Sequence, residues 1–254
     1  MRYVGVDLAW GPVGITGLAV LDEAGRLLDV TRRRTDEEVL DWLAPHVQGR
    51  CLVAFDAPLV VPNLTGQRRC ERLVTEHFGR FHAGCHPSNR SNPAFADGGR
   101  AARLARALSL DPDPASPTVR RALEVYPHPA IVSLFGLDRI LQYKAKPGRP
   151  LAHLRAELLR LLDLLDGLAG AGVSLDAAAA PQWAAVRTAV EGATTKAALK
   201  RVEDGVDAVV CAYVARYAVH APERVRVFGT AAEGFILTPV TEEIGRRVQL
   251  VTHG

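Results

Sequence analysis

The chain has little to cross-link it and nothing that would anchor it. Four cysteines, Cys51, Cys70, Cys85 and Cys211, are spread through 254 residues with no C-x-x-C spacing. That favours a reduced, cytoplasmic setting over a disulfide framework. No apolar run approaches the roughly 18–20 residues needed to span a bilayer, so no membrane association is expected. The leucine-rich stretch 158–168 is interrupted by Arg160, Asp163 and Asp166. A secretory signal is not expected either, because Asp7 falls where its apolar segment would run. There is no nucleophile elbow and no Ser–His–Asp ordering. The glycines of "GPVGITG" do not form a phosphate-binding G-x-x-x-x-G-K-[ST] loop, and their expected place is the turn between the first two strands. Internal repeats, low-complexity tails and flexible linkers are also missing, which points to a single domain over residues 1–254.

Lysine is scarce, with 4 against 27 arginines, and the net charge is only +3. The charge is unevenly placed. Between Gly66 and Arg121 ten arginines face five acids, a local excess larger than that of the whole chain. Such a segment suits a phosphate-bearing partner. A chain-wide preference for arginine produces the same count.

Hydrophobic patterning predicts strands over 2–8, 14–21 and 26–31, the last two joined by the turn "DEAG". Thr35 and Glu38 form a capping box that opens a helix. "CLVAFDAPL" (51–59) reads as a buried strand stopped by Pro58. Residues 62–121 read as an insertion of loops with helices at about 66–78 and 98–108. A fifth strand is expected at about 122–126, running into a short helix. Further helices are expected at 151–169, 177–191 and 194–220, and the strand pair "RVRVFG" and "EGFILTPV" follows.

Acids sit at three places where a core should continue. Asp7 and Asp56 each end a buried strand. Asp204 and Asp207 share one face of the long helix, where like charges three apart weaken a helix by roughly a few tenths of a kcal/mol. Ala208, Cys211 and Ala212 continue near that face, so Asp207 is read as pointing inward. Buried like charges persist where a cation compensates them. Hard divalent ions such as Mg²⁺ or Mn²⁺ take carboxylate oxygens and leave positions for phosphate and water. Alone, each acid could equally cap a loop or face solvent.

Other residues carry two readings each. Glu124 is a further ligand or substrate contact, or a salt-bridge partner of Arg120 or Arg121. Arg68, Arg69, Arg90 and Lys144 are candidate substrate contacts on basic loops. His128 is a proton shuttle or a locally held loop histidine. Trp10 stacks on a base or packs over the strand end. Cys70, His77, His82, Cys85 and His86 are zinc-binding types at spacings that fit no standard finger, so a polar loop near the cleft is expected.

A strand ending in Asp, a three-strand meander, a helix and a fourth strand ending in an acid resemble the ribonuclease H-like fold. "EDGVDAVVCAYV" is similar to the D-x-x-D-A helix of RuvC-type Holliday junction resolvases, with Asp204 and Asp207 matching its two acids. "GVDLAW", "FDAPL", "EVYPHP", "DGVDAVVCAY" and "GFILTP", in this order, resemble the DUF429 family of predicted ribonuclease H-like nucleases. The resemblance implies an α/β fold with a five-stranded mixed sheet in the order 3-2-1-4-5. It also implies a metal-dependent nuclease acting on DNA or RNA through Asp7, Asp56, Asp204, Asp207 and Glu124, with Mg²⁺ or Mn²⁺ on Asp7, Asp56 and Asp207. This chain carries Asp56 where the resolvases have Glu, one methylene longer. The competing expectations are an actin-like or sugar-kinase-like phosphotransferase on a related core, and a nucleic-acid-binding protein without catalysis.

Overall fold

Residues 3–6 form the centre of the architecture because they are buried on both sides. β1 (Arg2–Asp7) is buried from Tyr3 to Val6. β4 (Cys51–Phe55) is buried throughout. Such continuous runs belong to strands covered on both faces. In the computed structural model, which describes residues 1–11 and 14–251 and the side chains of these up to 248, β1 pairs antiparallel with β2 (Thr16–Leu21) and parallel with β4. β3 (Leu27–Arg33) and β5 (Arg120–Glu124) complete a five-stranded mixed sheet in the order β3-β2-β1-β4-β5.

Helices cover the sheet. α1 (Asp36–Leu43) opens on the Thr35–Glu38 capping box. α2 (Arg69–Phe78) and α3 (Arg100–Ala107) lie in the 62–121 segment. α4 (Pro127–Phe135) follows β5, and α5 (Leu151–Asp166) and α6 (Pro181–Glu191) precede the 25-residue α7 (Lys196–His220). β6 (Val225–Thr230) and β7 (Gly234–Pro239) form a separate antiparallel pair packed against α2. α8 (Glu242–Val251) ends the described chain. Among the described residues no helix is long and apolar enough to cross a membrane.

Two glycines set how α7 meets the sheet. A Cβ on Gly5 would fall inside contact distance of the Ala208 carbonyl, and one on Gly17 inside that of the Asp204 carbonyl. The helix backbone therefore lies directly on β1 and β2. Side chains alternate along a strand, so Tyr3 and Asp7 face α7 together with Gly5. The Tyr3 hydroxyl accordingly meets His220 Nε2 at 3.0 Å near the far end of the helix.

Several boundaries differ from the sequence reading. β5 covers 120–124 rather than 122–126, because Tyr126 already caps α4, with Pro127 at its first position. The helix expected over 177–191 divides into a 3₁₀ turn at Ala177–Ala179 and α6, which starts at Pro181 for the same reason. The second strand begins at Thr16 rather than at 14. Pro12 and Val13 of the expected "GPVGITG" turn lie outside the described residues. α8 had no counterpart in the sequence reading.

Candidate active site

The register of the sheet brings the acids together. Gly5 pairs with Ala54 in parallel β1 and β4, so Ala54 shares the α7-facing side. Asp56, two residues on, shares it too, and its N–H donates to Val6 O at 2.8 Å. Asp7 and Asp56 thus leave the carboxyl ends of adjacent strands on the side of α7. Asp207, wholly buried, enters from that helix. The two strand acids and the helix acid lie near enough to act on one another through their charges.

Burial raises the Asp7 carboxyl well above the usual range; Lys144 opposes this, and Asp207, Asp56 and Asp204 add to it. Burial also lifts Asp56, to about 7, against the pull of Lys144. Lys144 Nζ lies 2.7 Å from Asp207 Oδ2. Burial alone would lower the lysine, but Asp207 and Asp7 hold its pKa well above the ordinary value. The Tyr143 hydroxyl donates to Asp207 Oδ1 at 2.7 Å. Asp207 Oδ2 makes no aligned hydrogen bond, so the ammonium meets it as a charge only. Among the described residues no three carboxylate, imidazole or thiol groups close around one point as a preformed metal site. The donor set is nonetheless all hard oxygen, one buried oxygen lacks a hydrogen bond, and a cation already stands beside it. In chemistry and charge the cluster suits Mg²⁺ or Mn²⁺.

Asp204 borders the cluster one turn earlier on α7. Its Oδ1 is held by Lys200, which also contacts Glu203 Oε1 at 3.0 Å. Burial lifts Glu203 to about 7. The sequence reading missed Lys200, although its spacing of four from Asp204 was a usable signal. It also passed over Tyr143 beside the Lys144 it singled out.

Two expected site residues are placed differently. Glu124 pairs in register with Phe55, one residue before Asp56, so it leaves the opposite face of the sheet. There it takes Arg68 through two hydrogen bonds of 2.9 and 2.5 Å and the Leu59 N–H at 2.9 Å. Its partner is Arg68, not Arg120 or Arg121. Arg68 itself is 3% exposed, and Glu71 takes its Nε at 2.8 Å. Its guanidinium is committed to two carboxylates rather than presented to a phosphate. Arg69 is exposed, 3.7 Å from Glu233. Arg90 is exposed on the loop, its N–H donating to Asn63 O. Lys144 pairs with Asp207.

Beside Asp56 opens a small cavity walled by Trp10, Arg68, Glu71, His86, Glu124 and Tyr126 among others. Trp10 packs edge-on against Phe95 at 4.9 Å. Cys85 and His86 line the cavity, whereas Cys70 and His77 belong to the packing of α2. His128 lies between the Tyr126 and Tyr143 rings, and burial lowers it to about 3, so it is neutral at physiological pH.

Residues 5–233, from β1 to the turn before β7, match the family model described as "Protein of unknown function (DUF429)". The chain belongs to the DUF429 family. No curated protein and no solved structure matches it. The region matched in this DUF429 protein includes Asp7, Asp56, Lys144, Asp204 and Asp207.

Proposed function

We propose that this DUF429 protein hydrolyses phosphodiester bonds of DNA or RNA, with Mg²⁺ or Mn²⁺ held by Asp7, Asp56 and Asp207 on a ribonuclease H-like core. The observation that carries the reading is the convergence of half-buried Asp7 and Asp56, from two strands, and wholly buried Asp207, from a helix, near one lysine ammonium that pairs with Asp207 and acts on the other two through its charge. Each buried charge costs several kcal/mol unless compensated. Perturbed carboxylates of this kind cluster at functional sites. The sheet order β3-β2-β1-β4-β5, with a late helix over the adjacent ends of β1 and β4, supports the same reading.

The strands hold Asp7 and Asp56 rigidly. The Tyr143 hydroxyl fixes one oxygen of Asp207, which orients the other toward the cluster. Lys144, on a loop and 28% exposed at its side chain, is the resident cation that gives way when an ion binds, and its ammonium is then available to a phosphate oxygen. Asp204 stays with Lys200 and sets the field around Asp7. A divalent ion, when bound, activates water and neutralises charge on the phosphate.

The test compares wild type with Asp7→Asn and Asp207→Asn on single- and double-stranded DNA and RNA, with and without Mn²⁺. Cleavage is expected only in wild type with metal, together with a Mn²⁺-induced rise in melting temperature that Asp7→Asn abolishes. Equal Mn²⁺ shifts in wild type and Asp7→Asn would remove Asp7 from the metal site and refute the reading.

A further inference from the structure

A second charged feature lies two strands from Asp7, outside the basic insertion. Arg32, Arg33 and Arg34 follow one another at the end of β3. With Arg201 of α7, Ile15 and Glu38 they line an open groove. Four guanidiniums there face a single carboxylate. That carboxylate is already used, since Glu38 Oε2 accepts the N–H groups of Arg34 at 2.8 Å and Thr35 at 3.1 Å as the cap of α1. Arg33 donates to Thr31 Oγ1 and to the Arg32 carbonyl. Arg32, Arg34 and Arg201 are exposed, and no side-chain ion pair engages them among the described residues. Of the other exposed arginines, Arg26, Arg69 and Arg80 each stand beside an acid, whereas Arg90, Arg103 and Arg106 of the insertion have no ion pair among the described residues.

The sheet fixes where this groove lies. Asp7 pairs with Gly17, and Gly17 pairs with Arg32. Two strand spacings separate Arg32 from Asp7, about 10 Å. Gly17 faces α7, so Arg32 leaves the sheet on the same side as the aspartates. Arg201 comes from the helix that delivers Asp207. One strand of nucleic acid carries a charge about every 3.4 Å along its axis, so about 10 Å is some three nucleotides. Planar guanidinium forks suit phosphate oxygens better than point charges do.

We propose that the groove of Arg32, Arg34 and Arg201 is a track for the phosphodiester backbone of a nucleic-acid strand, leading it toward the aspartate cluster. The substrate class rests on the phosphodiesterase reading, but binding can be measured without cleavage. Anisotropy of a labelled single-stranded 20-mer, in EDTA, is followed from 50 to 200 mM salt. Wild type is compared with Arg32→Ala/Arg34→Ala/Arg201→Ala and with Arg72→Ala/Arg103→Ala/Arg106→Ala, three exposed arginines of the insertion. The groove variant is expected to bind at least tenfold more weakly at low salt. Its salt slope should be flatter by about 2, since three lost contacts at about 0.7 each give that change. The insertion variant should keep the wild-type slope. A slope unchanged in the groove variant, equal effects from both variants, or no binding by wild type would overturn the track. A mononucleotide competing as well as the 20-mer would also overturn it, by showing an isolated phosphate site. If wild type cleaves nothing with Mn²⁺ while the groove variant still loses binding, the phosphodiesterase reading fails and the track stands.

Discussion

Lys144→Met tests whether the aspartates need a cation. Methionine keeps much of the length and apolar stem but removes the ammonium 2.7 Å from Asp207 Oδ2. Breaking a buried ion pair from one side costs about 3–5 kcal/mol. Because the Lys144 side chain is 28% exposed, the lower end applies, about 3 kcal/mol. For a chain of this size each kcal/mol moves the melting temperature by about 2–4 °C, so a fall of about 6–12 °C is expected without metal. An ion at a hundred times its Kd returns about 2.7 kcal/mol. Calorimetry of wild type and Lys144→Met, with and without Mn²⁺, should therefore show the variant low in EDTA and largely restored by metal. Wild type should gain less, because its own cation must first leave. Adding Asp207→Asn to Lys144→Met should recover part of the loss in EDTA. A variant that melts with wild type in EDTA, or Mn²⁺ shifts of equal size in both proteins, would refute the idea that ammonium and metal compensate the same charges.

Two further outcomes follow from the burial around this cluster. His128 is lowered from 6.5 to about 3, so the unfolded chain takes up a proton that the native one refuses, and stability is lost as pH falls below about 6.5. Glu203 is raised from 4.5 to about 7, so the native chain keeps a proton that the unfolded one releases, and stability is lost as pH climbs from about 4.5 to about 7. In urea melts His128→Phe should flatten the acid limb and Glu203→Gln the limb approaching neutrality; curves parallel to wild type would disprove both assignments. Gly17→Ala would drive a methyl group into the Asp204 carbonyl of α7. Its cost should reach or exceed the roughly 1–3 kcal/mol of ordinary overpacking, and an unchanged denaturation midpoint would show that the helix can lift off the sheet.

Much of the sheet was legible because its signals are local. Unbroken apolar runs marked β1 and β4, and a capping box marked α1. The acids stood out because Asp7, Asp56 and Asp207 interrupt sequences that are otherwise apolar. What could not be read was which way a neighbouring side chain points. Glu124 looked like a third strand-end acid, yet a one-residue offset in register sends it to the other face. Arg68 looked like any arginine of a basic loop, and its burial depends on a carboxylate 56 residues away. The Arg32–Arg34 run carried no signal until pairing of β3 with β2 placed it beside the helix that brings Arg201.

The Arg68–Glu124 pair also bears on how this protein can be pared down. Arg68 stands just ahead of α2, Glu124 closes β5, and the same guanidinium donates to the Val60 carbonyl at 2.9 Å. The sheet and the segment that looks like an addition to it are thus tied by a charge pair sealed from water. Trimming residues 62–118 to reach a smaller scaffold would strip Glu124 of its only side-chain counter-ion among the described residues and leave a carboxylate trapped in the interior. A shortened version would have to change position 124 to an uncharged residue at the same time. In that sense the appendage and the core were never separable parts, and the seam for dissecting them does not run where the composition changes.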